Sequence, residues 1–140
     1  MNRSVLLITV IILAFVVVTI VTYQAPSTST SRTASGAELY AAHCASCHGA
    51  NLEGQPNWQT QNPDGSWPAP PHDASGHTWH HADDYLIGVV VYGGAAITGN
   101  PKNAMPAFNT VLSSSEVTLI LDYIKSTWSD ELRAKQRNGH

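Results

Sequence analysis

The sequence predicts an all-α domain carried behind a single N-terminal transmembrane helix. Three observations lead there. The chain opens on a long uncharged apolar run, two capping boxes stand at the heads of helical patterns, and one amphipathic face closes the apolar part of the chain. At 140 residues there is room for one small domain and an appendage.

Residues 5–23 (VLLITVIILAFVVVTIVTY) carry no charge. As a helix they would span about 28 Å, close to the hydrocarbon thickness of a bilayer. Arg3 precedes the run and no basic residue follows until Arg32, so the positive-inside rule puts the N-terminus in the cytoplasm and the remainder outside. A cleaved signal peptide would have a shorter apolar region ending at a small-residue site. Ala25 is flanked by Tyr23 and Pro26, both poor for cleavage, so residues 1–23 are expected to remain as a signal anchor. Residues 24–34 are a Ser/Thr-rich tether without an apolar pattern, giving a reach of roughly 20 Å.

The folded domain is expected over residues 35–131. Ser35-Gly36-Ala37-Glu38 is a capping box and starts a first helix through Leu39, Tyr40 and Ala42. Tyr85, Leu86, Val89 and Val90 recur at helical spacing within residues 82–92, before Gly93-Gly94 stops them; the Val89-Val90-Val91 run would also suit a strand. A second capping box, Ser113-Ser114-Ser115-Glu116, heads the last helix, whose Val117, Ile120, Leu121, Ile124 and Trp128 form one apolar face. Residues 49–78, rich in Gly, Pro, Asn, Gln and Trp, show no period and read as a long loop wrapped around something. Residues 132–140 are a polar, basic tail expected to fray.

The chemistry is concentrated in Cys44-Ala45-Ser46-Cys47-His48. This is the C-x-x-C-H spacing of a c-type haem attachment site, in which each thiol forms a thioether with a haem vinyl group and His48 takes the iron. A zinc half-site lacks a second CxxC, and a thiol–disulfide pair lacks its βαβ setting. One covalent haem c is therefore expected, on the outer side of the membrane where free thiols would otherwise oxidise. A domain of about a hundred residues has a marginal core of its own, and a held haem would supply missing apolar mass. Met105, in Asn103-Ala104-Met105-Pro106-Ala107-Phe108, is the only methionine after the first residue and a candidate second axial ligand, against the plainer reading of core filler.

Taken together, C-A-S-C-H-G, the M-P-A-F loop and the closing L-S-x-x-E-V…L-D-Y-I-K-S-x-W helix resemble the class I monohaem cytochromes c over residues 35–130. The resemblance implies a haem-wrapping all-α fold in which Gly36 and Tyr40 meet the last helix near Tyr123. It also implies a proline loop whose carbonyl accepts from the Nδ1–H of the histidine on the iron; Pro70 and Pro71 are the matching residues.

One stretch departs from that pattern. His72, His77, His80 and His81 fall within ten residues. They suit a second metal site for copper or zinc, a sixth haem ligand in place of Met105, or simple padding of the loop. His43 is expected at the surface.

Ten acidic side chains stand in residues 35–131 against Lys102 and Lys125 alone, so a lysine ring that would steer the domain to an acidic partner cannot be built. The tether offers another route, because confinement near the membrane raises effective concentration. Expected partners are membrane redox complexes: a quinol–cytochrome c oxidoreductase, a terminal oxidase or a photosynthetic reaction centre. No nucleic-acid partner is expected. The predicted role is one-electron transfer rather than catalysis, as a carrier or a subunit of an oxidoreductase complex. A haem enzyme or gas sensor would need a vacant iron site, and a metal-binding module would rest on the histidines.

Overall fold

The computed structural model describes residue 2 and residues 34–138. The expected anchor and nearly all of the tether lie outside the described residues. Among the described residues no helix is long and apolar enough to cross a membrane.

Those residues form helices and loops without a strand. In chain order they are α1 (Gly36–His43), α2 (Ala45–His48), a 3-10 turn (Thr78–His80), α3 (Asp83–Tyr92), α4 (Gly94–Thr98), α5 (Ser114–Ser126) and α6 (Asp130–Asn138). Residues 49–77 hold no regular element.

Both capping boxes close as the sequence implies. Ser35 Oγ accepts from the Glu38 N–H at 3.3 Å while Glu38 accepts from the Ser35 N–H at 2.8 Å. Ser113 and Glu116 repeat the pair at the head of α5, with the same distances. Each box satisfies N–H groups that a helix start otherwise leaves unpaired. With its start fixed, α5 buries Val117, Ile120, Leu121 and Ile124, and Trp128 continues the face beyond its end. These residues form the core with Leu39, Tyr40, Cys44, Leu52 and Leu112.

Helices α1 and α5 cross at Gly36. A methyl group there would collide with the Leu119 carbonyl and press on Tyr123 Cβ, so only glycine permits this approach. One turn on, the Tyr40 and Tyr123 rings lie 5.5 Å apart.

Residues 83–92 resolve as helix rather than strand. Asp83 and Asp84 in the first turn favour the helix dipole, and Gly93 at φ 86° ends it. The chain does not stop there but takes a further short helix, α4, closed by Gly99 at φ 68°.

The terminal segment corrects the sequence reading. Instead of fraying from residue 132, it forms α6 from Asp130. Ser129 Oγ accepts from the Leu132 N–H at 3.2 Å, acids lead and bases trail, and the helix docks by its polar side chains. Arg133 donates to the carbonyls of Lys125 (3.2 Å) and Trp128 (2.7 Å) at the end of α5. Buried Gln136 donates to the His81 carbonyl at 3.1 Å and to Asp83 at 2.8 Å. The polarity that suggested a loose tail is what attaches it.

Candidate functional site

Tyr40 O accepts from the Cys44 N–H at 2.8 Å, and Cys44 O accepts from His48 at 2.9 Å, so helical turns run from α1 through the cysteine motif. Positions 44, 47 and 48 therefore share one helical face. Cys44 is buried and Cys47 exposed, both are free, and His48 is buried. Burial, then the neighbouring Cys47, pushes the Cys44 thiol up to about 11. The Tyr40 hydroxyl donates to Gly49 O at 2.9 Å and reaches His48 O at 3.3 Å, fastening the end of the motif to α1.

All three motif side chains line a cavity of about 640 Å³, within the range of small-molecule and cofactor pockets. Leu86, Val89 and Val90 of α3 and Ile120, Leu121 and Ile124 of α5 form apolar walls. No Asp, Glu, Lys or Arg is among the lining residues.

His48 Nδ1 lies 2.8 Å from the Pro70 carbonyl. A carbonyl only accepts, so Nδ1 carries the proton and Nε2 keeps the lone pair that a metal requires. Burial holds the His48 imidazole below its ordinary range, against the pull of the Pro70 bond. The proline loop is brought here by backbone pairing. Gly54 donates to His48 O at 2.8 Å, Gln55 donates to Ala69 O at 2.9 Å, and a side chain at Gly54 would collide with Pro70 and Pro71. The carbonyl belongs to Pro70; Pro71 is fully buried behind it.

Met105 lines the same cavity. Its carbonyl accepts from the Gly94 N–H at 2.9 Å, its N–H donates to Asn103 Oδ1 at 3.1 Å, and the Phe108 N–H bonds Val90 O at 3.0 Å. The Gly93-Gly94 turn thus holds the methionine loop against the end of α3.

The histidine-rich stretch does not assemble a second metal site. Among the described residues no three His, Cys, Asp or Glu side chains are placed to hold a metal ion. Each ring has an aromatic partner: His72 stacks on His48 at 4.0 Å, His77 on Trp58 at 5.4 Å, His80 on Trp79 at 3.6 Å and His81 on Tyr85 at 4.6 Å, while His77 and His81 meet edge to face at 5.4 Å. His72, His77 and His81 line the cavity; His80 does not. Burial, then His48 and His77, pushes the His72 imidazole down to about 3. The His72 ring is packed face to face against the His48 imidazole. His43 is half-buried against Phe108 rather than a free surface residue.

Other residues on the cavity wall were not singled out in the sequence: Gln55, Trp58, Gln59, Trp67, Thr98 and Asn103. For Gln55, Trp58, Gln59 and Trp67 the only signal was the aperiodic, Trp- and Gln-rich composition of the loop; Thr98 is the last residue of α4 and Asn103 belongs to the methionine loop.

The site suits a covalently held haem. Two thiols and an oriented imidazole share a helical face, a thioether lines the same cavity, and apolar walls match a flat macrocycle. His77 Nδ1 is buried without a hydrogen-bond partner, a polar atom at the wall that a carboxylate-bearing ligand would satisfy.

No curated protein and no solved structure matches the chain. Residues 31–124 match the family model described as cytochrome C oxidase, cbb3-type, subunit III, over more than half of the sequence and across the cysteine motif, the proline loop and Met105. The chain belongs to that family and is a c-type cytochrome of electron transfer.

Proposed function

We propose that this chain is a class I, membrane-tethered carrier of single electrons that serves a terminal oxidase. The observation that carries this reading is the convergence of Cys44, Cys47, His48 and Met105 on one uncharged cavity. Haem c supplies reversible one-electron chemistry at its iron. Cys44 and Cys47 hold it by thioethers, and His48 offers Nε2 from a ring oriented by Pro70. Met105, which lines the same cavity, would supply a thioether as the second iron ligand, a His/Met pairing that favours a high reduction potential. The apolar walls exclude water and limit reorganisation around the changing charge.

Residues 5–23 anchor the chain in the membrane and leave the haem domain on the extracytoplasmic side. The family description favours a terminal oxidase over the other membrane complexes as partner. The tether makes weak docking sufficient.

Spectra of the purified haem-loaded domain test the centre. Low-spin bands with a sulfur-to-iron charge-transfer feature, lost in Met105→Ala, are expected. A wild-type protein that is high-spin and binds CO freely would sink the reading. Co-purification of the full chain from membranes tests the partner, with an oxidase as the expected companion.

A further inference from the structure

His72 is held through both its backbone and its imidazole, and the electron-carrying role gives those constraints no use. Its backbone N–H donates to Leu52 O at 2.8 Å. Its carbonyl accepts from Trp128 Nε1 at 2.7 Å. Its Nδ1 lies 2.8 Å from Thr78 Oγ1. The Thr78 hydroxyl in turn reaches Pro71 O at 3.4 Å, so the hydroxyl proton points to Pro71 and the oxygen accepts from His72 Nδ1–H. Leu52 itself is buried at φ 70°, a conformation unfavourable for a branched side chain and sustained only where its surroundings fix it.

The backbone bonds fix where His72 stands, and the Nδ1 bond to Thr78 holds its ring with one face against His48. The two imidazoles are stacked, with centroids 4.0 Å apart and planes 22° from parallel. The Pro70 bond alone fixes the Nδ1 edge of His48 but leaves the ring free to swing about the line to that carbonyl. A face laid against the ring removes that remaining freedom.

We propose that His72 is a positioning residue that sets the plane of the His48 ring, and through it the electronic state of the iron. It acts through stacking and the Thr78 bond, without touching the metal. This rests on the reading of His48 as the axial ligand. Its chemistry differs from that of a packing aliphatic, because an imidazole is polarisable and dipolar where an aliphatic side chain is not. Replacing it removes polar stabilisation of the oxidised centre, so the reduction potential should rise.

The test uses the haem-loaded protein as wild type, His72→Leu, His72→Phe and Thr78→Val. Proton NMR of the oxidised state reads the orientation of the axial ligands in the spread of the hyperfine-shifted haem methyl signals, and redox titration gives the potential. In His72→Leu the methyl pattern should change and the potential should rise, while the sulfur-to-iron band from Met105 stays. Phenylalanine, which keeps a flat face, should hold the methyl pattern near wild type. Thr78→Val, nearly isosteric, should move both readouts part of the way, and it decides the matter should His72→Leu fail to fold. Wild-type methyl patterns and potentials in both His72→Leu and Thr78→Val, with only stability lowered, would make His72 ordinary packing and overturn the proposal. A high-spin His72→Leu protein beside a low-spin Met105→Ala protein would also overturn it, by making His72 a ligand. A wild-type protein that is not low-spin fails the electron-carrier reading instead, so the two failures are separate.

Discussion

Trp128 donates its indole N–H to the carbonyl of His72 at 2.7 Å, across 56 residues of sequence. The bond joins the end of α5 to the loop that backs the cysteine motif. Trp128→Phe should keep most of the apolar packing and orphan that carbonyl, at a cost of about 1–3 kcal/mol. Denaturant unfolding of the haem-loaded protein measures it. An unchanged midpoint would mean that water replaces the indole.

The crossing of α1 and α5 depends on Gly36, and Gly36→Ala tests it. The new methyl meets the Leu119 backbone carbonyl, which cannot swing aside as a side-chain tip could. The helices must separate, at a cost of about 1–3 kcal/mol. Ala37→Gly, on the exposed side of the same helix, is the comparison: it should lose only helix propensity, about 1 kcal/mol. Equal losses in the two variants would remove the special role of Gly36.

Much of this was legible from local signals. Two capping boxes fixed the heads of α1 and α5 because cap chemistry lies within four residues, and the apolar face of α5 survives in the buried Val117, Ile120, Leu121, Ile124 and Trp128. The spacing of Cys44, Cys47 and His48 needs only one helical turn to act. The docking of α6 escaped because its partners lie far along the chain. The α6 segment looks frayed until Gln136 finds His81 and Asp83, more than fifty residues away. For the four histidines the sequence left loop padding, a metal site and haem ligation open, and the rings stack on Trp79 and Tyr85 close by and on Trp58 and His48 further off. Spacing records that imidazoles are near in sequence; it does not record which faces are already occupied.

Asp83 gives a pH dependence with a definite sign. Burial acts against its ionised form, but bonds from Lys125 at 2.7 Å and Gln136 at 2.8 Å, with the Lys125 charge, outweigh it and hold the carboxyl below its usual range. A carboxyl depressed in the folded state adds stability above its unfolded value of about 4. That stability drains away as pH falls from there through the folded value. Because the side chain is half exposed, solvent screening keeps the contribution below about 1 kcal/mol. Unfolding free energy followed from pH 6 to pH 2 should fall less steeply in Asp83→Asn than in wild type. Parallel curves would show that the pair does no electrostatic work.

The methionine loop offers the sharpest link between backbone and iron. Gly94 is buried with the Asn103 side chain against it, and that same side chain accepts from the Met105 N–H at 3.1 Å. Gly94→Ala puts a methyl into the Asn103 amide. The amide is mobile enough to move, but moving it gives up the bond to Met105. The Gly94 N–H that holds the Met105 carbonyl at 2.9 Å must shift as well. With the haem in place, Gly94→Ala should weaken the sulfur-to-iron band and admit CO more readily than wild type, while stability drops by about 1 kcal/mol. Asn103→Ala removes the amide without the collision, so it should show the same spectral change at a smaller degree. If Gly94→Ala lowers stability and both variants keep the wild-type band and exclude CO, the turn supports the fold without positioning the ligand.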